Sequence, residues 1–382
     1  MLRARPRQAD LDAAAARAYL PDMLQPSPAY MSAHRPRAVA VWLLVVAAMI
    51  VAIVVVGGIT RLTNSGLSIT EWKPITGIVP PLNDAQWQAE FANYRRIPEY
   101  QQINRGMTLA GFQAIFFWEY LHRALARTIG LAFAIPLAWF WTRRQIPAGY
   151  KPRLLALLAL GGLQGAIGWW MVTSGLAVRT DVSHLRLAVH LITALVTLGG
   201  IVWTALDLLD LARHPYSPPA RLRPIAAAAL LLLGIQILWG AFTAGLDAGY
   251  AFSSWPLMGD VLFPADAPML EPAWRNTVDN PVVVQFIHRW FAFVAAAGLV
   301  VLASRVRRAG SRGGYAVKAL VALQLLLGIA TLLSGVQIGI AVAHQANAAL
   351  LLVAAVVAAH AVGKRDGGAQ VLKYPSAKPP KA

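Results

Sequence analysis

Four histidines carry the chemistry that this sequence can perform. His122, His190, His288 and His344 lie inside long apolar stretches, whereas His34, His184, His214 and His360 fall in connecting segments or at a helix end. The helix runs from His122 to Arg143, His190 to Arg213, His288 to Arg305 and His344 to Lys364 each measure about 25–35 Å at 1.5 Å per residue. All four histidines therefore sit near one end of their blocks, at similar depth. One apolar-face histidine is more often a packing or hydrogen-bonding residue than a ligand. Ionisable groups within a membrane span are nonetheless expensive and are read as functional by default. Two per half, on helices that can face each other, occupy the positions where bundles build cofactor sites. Two imidazoles can clamp a flat macrocycle from both sides, and histidine is a standard axial ligand of heme iron. A zinc or copper site would want a third or fourth ligand close by, and none is evident in the second half.

The elements that position these residues are membrane spans. The chain of 382 residues is 57% hydrophobic and only 13% charged, about half the charge of an average soluble domain. The stretch from Ala38 to Val56 is uncharged and long enough to cross a bilayer core of about 30 Å. Similar blocks predict spans near 38–57, 111–142, 154–174, 185–207, 224–244, 282–304, 317–337 and 341–363. The second is long, so it tilts or starts outside the hydrocarbon. The predicted class is an all-α integral membrane protein with eight transmembrane helices.

Charge sets the orientation. The net charge is +17, which in a membrane protein reflects Lys and Arg in cytoplasmic loops rather than a nucleic-acid partner. Most of the 34 Lys and Arg fall in segments on one side, which places both termini in the cytoplasm. The first 37 residues, with Asp10, Asp12 and Asp22 and no cleavable apolar core, read as a cytoplasmic tail rather than a signal peptide. Two long outer loops, 58–110 and 245–281, are expected to fold as caps. There is no cysteine, which excludes disulfides, thiolate-held clusters and catalytic thiols.

The chain also repeats itself. GGITRLTNSGLSITEWKPITG (Gly57 to Gly77) is echoed by GAFTAGLDAGYAFSSWPLMGD (Gly240 to Asp260), and WEYLHR (Trp118 to Arg123) by VQFIHR (Val284 to Arg289). LQGAIGWWMVTSG (Leu163 to Gly175) and LQLLLGIATLLSG (Leu323 to Gly335) share a Leu-Gln pair, a Gly and a closing Ser-Gly. VHLITAL and AHQANAAL each begin just before their histidine. The expected plan is two parallel pseudosymmetric four-helix bundles, related by an axis along the membrane normal. They comprise a 1–37 tail, a first bundle over 38–207, a 208–223 linker, a second bundle over 224–363 and a 364–382 tail.

Two details qualify the histidine sites. Arg123 and Arg289 directly follow repeat histidines; they either snorkel to the interface or pair with heme propionates, where guanidinium matches carboxylate. Glu119 precedes His122 by three residues, whereas Gln285 precedes His288 by three. That spacing puts both side chains on one helix face. Glu119 either accepts a hydrogen bond near the interface or serves as a proton shuttle beside a reactive centre. On the second reading the first half performs chemistry and the second stores or relays electrons.

At these residues the sequence resembles the heme A synthase family, over roughly residues 38–363. The likeness is carried by GGITRLTNSGLSITEWKPITGIVPP, by WEYLHR followed by Arg127 and Gly130, by the third-span GxxGWWMVxSGL pattern, and by histidines on the even-numbered spans. It implies two pseudosymmetric four-helix bundles. It also implies that His122 and His190 hold the substrate heme O, with Glu119 as the essential glutamate, and that His288 and His344 hold a heme b cofactor that relays electrons. Arg123 would serve the substrate heme and Arg289 the cofactor. The implied reaction oxidises the C8 methyl of heme O to the formyl of heme A for cytochrome c oxidase. The lack of cysteine places the chain with a cysteine-free branch, without an outer disulfide relay.

Membrane lipid, a heme O synthase, oxidase assembly factors, an electron donor of unstated identity and a second copy of the chain are the expected partners. Two other readings compete. A di-heme b-type electron-transfer protein predicts two permanent hemes and gives Glu119 no task. A transporter of parallel repeats predicts a polar site at the bilayer midplane, away from where these polar residues gather.

Overall fold

The computed structural model describes residues 34–73, 76–215, 217–308 and 313–371, with the side chains of 365–371 excepted. Most of the expected N-terminal tail and of the C-terminal tail lies outside the described residues. Among those described, the protein is all-helical, and eight helices are long and apolar enough to cross a membrane. They are α1 (Pro36–Leu62), α2 (Leu109–Thr142), α3 (Lys151–Thr173), α4 (His184–Arg213), α5 (Pro224–Gly245), α6 (Pro281–Arg308), α7 (Gly313–Leu333) and α8 (Ile338–Val371). Helices suit such segments because every backbone polar group is satisfied within the element.

The starts follow local chemistry. Pro36, Pro152 and Pro224 stand in the first turns of their helices, where the missing N–H costs nothing. Thr108 caps α2 by accepting from the Gly111 amide at 3.2 Å, which satisfies one of the orphan donors of a helix start. At 34 residues, α2 is about 50 Å long, more than the bilayer core requires. The fourth span runs six residues beyond its predicted end, to Arg213.

α1 packs on α2 and α4, and α3 packs on α4; α6 packs on α5, α7 and α8, and α7 packs on α8. The halves meet through α1, α4, α5 and α8. One apolar core joins α1, α2 and α4 to Ala349 and Val356 of α8, and a second fills the space among α5, α6, α7 and α8. Polar contacts lock the junction at both ends. At the end remote from the histidines, buried Asp207 accepts from Arg153 (2.6 Å) and the Ala220 amide (2.9 Å) and lies 2.9 Å from His360 Nε2. Lys364 pairs with Asp210 there. At the other end Arg61 pairs with Asp247 at 2.8 Å, and Gln345 of α8 donates to the Val54 carbonyl of α1 at 2.8 Å.

Both long loops fold over the histidine-bearing end. Residues 63–108 contain helices Asp84–Tyr94 and Pro98–Gln102. Phe91 and Tyr94 pack with Phe112 and Phe116 of α2 in a separate aromatic core. The loop between α5 and α6 is held by buried amides. Asn276 accepts from the Leu270 amide (2.8 Å) and donates to its carbonyl (2.9 Å), and Asn280 donates to Pro268 (2.9 Å).

Candidate heme-ligand sites

Each of the four histidines rests on a glycine of the span before it. A methyl group added to Gly57 would stand 3.1 Å from His122 Cε1, and one on Gly168 would stand 2.9 Å from His190 Cε1. The corresponding distances are 3.0 Å for Gly240 to His288 and 3.0 Å for Gly328 to His344. Any larger residue would push the imidazole aside, because packed interiors have no slack for an extra carbon. The four rings thus take their positions from glycine seats on α1, α3, α5 and α7.

In the second half the structure brings His288 and His344 together, with ring centroids 6.5 Å apart and planes at 86°. Metal–imidazole bonds are about 2 Å long. Two of them laid end to end, with half a ring on each side, span about 6 Å, so the pair fits a single iron between two axial imidazoles. Among the described residues no cluster of three or more His, Cys, Asp or Glu could hold a metal ion.

Three of the rings are also backed by an amide. Gln164 Nε2 lies 3.0 Å from His190 Nδ1 and 2.8 Å from the His190 carbonyl. Gln236 does the same at His288, at 3.0 Å for both contacts. Gln324 Nε2 lies 3.3 Å from both His344 Nδ1 and Nε2, and Gln324 Oε1 accepts from Asn347 at 2.7 Å. At each of these rings the amide presents an N–H, so the contact holds the orientation of the imidazole. The sequence reading passed over these glutamines as ligand partners. Their signal was present: Gln-x-x-x-Gly recurs in α3, α5 and α7, four residues from glutamine to seat.

Glu119 and Arg123 form a clamp one turn apart on α2. Glu119 Oε1 accepts from Arg123 Nε (3.1 Å) and Nη2 (2.6 Å), while Oε2 accepts from Ser68 Oγ (2.7 Å) and the Ile69 amide (2.7 Å). Arg123 also donates to the Ile69 and Glu71 carbonyls. On α6 Gln285 and Arg289 repeat the clamp with opposite polarity. Gln285 Nε2 donates to the Gly249 and Phe252 carbonyls at 3.3 and 3.0 Å, and its Oε1 accepts from Arg289 at 3.2 Å. Arg289 donates to Phe252, Ser254 and Leu257 carbonyls. Both arginines thus stitch the loop to the helix that carries the neighbouring histidine.

One further acid lies in the first loop. Glu99 is only 3% exposed, and its Oε2 has no hydrogen-bond partner among the described residues. Burial first, and then the neighbouring Asp181, push its carboxyl up to about 8. Burial also raises the Tyr94 hydroxyl above its ordinary value.

Eight apolar helices, four of them carrying a glycine-seated histidine, define a multi-pass helical membrane protein. The chain matches the family model described as "Cytochrome oxidase assembly protein" over residues 40–356, and it belongs to that family. Curated relatives agree. The chain is similar to a protein named "Heme A synthase" from Rhizorhabdus wittichii, 58% identical over 331 residues that cover 86% of this chain and 95% of the relative. It is similar to another of that name from Sphingopyxis alaskensis, 53% identical over 89% of this chain and 96% of the relative. A third, from Rhodospirillum centenum, is 52% identical over 84% of this chain and 87% of the relative.

Proposed function

We propose that this protein is a heme A synthase, an oxidoreductase of the bacterial inner membrane that converts heme O to heme A for cytochrome c oxidase. The observation that carries the reading is the fourfold recurrence of a histidine seated on a glycine, two in each half. The family and the names of the relatives supply the substrate class. In this reading both termini are cytoplasmic and the two bundles are parallel repeats.

His122 and His190 bind the substrate heme and orient its C8 methyl for oxidation to a formyl, by hydroxylation and further oxidation with loss of water. Glu119 is the acid–base group of this site, held in place by Arg123 and by two donors from the loop. Ser68 Oγ, 2.7 Å from Glu119, offers a hydroxyl through which a proton could be passed on. His288 and His344 hold the resident heme b, which supplies one-electron redox chemistry when bound. The Gln285–Arg289 clamp keeps that second site closed. The first bundle is the more open: α2 packs only lightly on α3, whereas α6 packs closely on α7 and also on α8. A site that must load a substrate and release a product needs that difference, and a resident cofactor does not.

Expression in a host that makes heme O but lacks this activity, followed by chromatography of extracted hemes, tests the proposal. Appearance of heme A is expected. Its absence from a host that holds the folded protein and heme O overturns the assignment.

A further inference from the structure

Glu99 is a buried acid that no step of the proposed reaction uses. It stands on the short helix Pro98–Gln102 of the first cap, 3% exposed, with Oε2 unpartnered among the described residues. On the solvent side the same helix walls a cleft of about 390 Å³ at the junction of the halves, lined by exposed Gln102 and Arg179 and by Asp181 and Asp247. On the protein side lies the buried core that Tyr94 and Ile97 share with Leu67. Ser68, the next residue, donates to Glu119 at 2.7 Å. Glu99 thus occupies the ground between the cleft and the Glu119 clamp. We propose that Glu99 is a proton-relay residue that takes protons from the cleft at Asp181 and passes them inward to Glu119. This rests on the reading that Glu119 serves the oxidation of a heme held by His122 and His190.

The chemistry sets the direction. Inserting oxygen from dioxygen into a methyl C–H bond consumes two electrons and two protons; one oxygen atom becomes the hydroxyl and the other leaves as water. Here dioxygen is the oxidant and a one-electron donor acting through the second half supplies the electrons, so the first site must be fed protons. A group that feeds them works best when its pKa lies near the operating pH. Burial is the main cause that raises the Glu99 carboxyl to about 8, and Asp181 is the next. Tyr94 opposes the rise, Glu119 of α2 adds to it, and Arg61 of α1 opposes it. Arg61 itself is shared between Asp181 (3.6 Å) and Asp247 (2.8 Å). The Tyr94 hydroxyl, raised by burial, faces the carboxyl and accepts from Asn104 at 2.7 Å, so it orients the acid and keeps its own proton. In each transfer the Glu99 O–H bond breaks, the proton goes toward Glu119, and the carboxylate left behind takes a proton from water in the cleft. Protons and charge balance over the cycle.

Two measurements on the full-length protein test this. Infrared titration, which needs no substrate, should show a protonated carboxyl band that fades as pH rises through about 8, shifts in heavy water and is missing from Glu99→Gln. Initial rates of heme A formation should hold up to about pH 8 and fall above it, because the proton-bearing form is the working one. Glu99→Gln should be slower, by less than the roughly 100-fold expected of the acid–base group itself, and should lack the falling limb. Glu99→Asp should restore the limb. Asp181→Asn removes a negative neighbour and releases Arg61, so band and limb should both move to lower pH; this variant carries the test if Glu99→Gln does not fold. Glu99→Gln protein that keeps the wild-type limb, at whatever rate, has lost only a structural group and overturns the proposal. So does Asp181→Asn protein with band and limb unmoved, or a wild-type protein without the exchangeable band. Failure of folded wild-type protein to make heme A overturns the underlying reading instead, and the infrared titration distinguishes the two.

Discussion

The two halves of this molecule use one scaffold and set it differently at three places. The helix bearing the first histidine carries Glu119 in one half and Gln285 in the other. Each is matched to its loop: Glu119 accepts from Ser68 and Ile69, while Gln285 donates to Gly249 and Phe252. Nδ1 of His122 is buried without a hydrogen-bond partner among the described residues, whereas Nδ1 of His288 lies 3.0 Å from Gln236 Nε2. α2 packs only lightly on α3, whereas α6 packs closely on α7 and also on α8. On the proposed reading, the two halves would divide their duties through hydrogen-bond polarity and packing around the histidines, while the histidines and their glycine seats stay the same.

The largest expected effect separates the resident from the transient heme. His288→Ala should reduce the heme that purifies with the protein by more than about tenfold at that site, since even losing a partner of the ligand costs 10–100-fold. His122→Ala should leave that heme in place and abolish loading with heme O. Pyridine hemochrome assay of each variant checks both, and the reverse pattern would exchange the roles of the halves. Next is Glu119→Gln, which copies the second half. Heme binding should persist while heme A formation falls about 100-fold or more, the usual weight of an acid–base group, measured by chromatography of extracted hemes. Unchanged product formation would remove Glu119 from the chemistry.

A smaller effect tests the fit of each clamp to its loop. In Gln285→Glu the carboxylate cannot donate, so the Gly249 and Phe252 carbonyls lose their partner. The cost should be about 1–3 kcal/mol, read as a lower thermal midpoint in detergent. Gly240→Ala should move the ring of His288 by a few tenths of an ångström, because the new methyl would stand 3.0 Å from Cε1. The absorption and EPR spectra of the resident heme should shift, while Gly234→Ala, which meets nothing within 4 Å, should leave them unchanged.

Much of this was legible in the sequence. Long, mostly apolar runs mark all eight spans, and a histidine inside such a run is conspicuous because its burial is costly. What escaped the reading were residues whose roles arise only on packing. A lone glutamine in an apolar helix looks like a tolerated polar residue until Gln164, Gln236 and Gln324 are seen against three imidazoles. Glycine seats look like the small residues common in any membrane helix. The complementarity of Glu119 to Ser68 and Ile69 depends on where the loop returns, which helical periodicity does not contain. Arg123 and Arg289 were noticed for their positions, but their bonds to loop carbonyls required the fold.

The smallest effect concerns how the two caps answer to pH. The first is built over a buried acid, Glu99, and the second over buried Asn276 and Asn280, which do not titrate. Burial and the nearby Asp181 raise the Glu99 carboxyl from its ordinary value of 4.5 to about 8. Below the ordinary value both folded and unfolded chains hold the proton, and the cap has its full stability. Between 4.5 and about 8 the unfolded chain ionises while the folded one keeps its proton, so stability falls as pH rises. Above that the loss is complete. Hydrogen exchange, corrected for its intrinsic pH dependence, should show residues 84–104 loosening as pH rises from about 5 to about 9, whereas residues 264–280, whose Asp279 faces buried His184, should not loosen in that direction. Glu99→Gln should remove the difference, because the amide stays neutral throughout. If both caps loosen together in that variant, the pH response lies elsewhere, and the two loops do not differ in the way their buried groups imply.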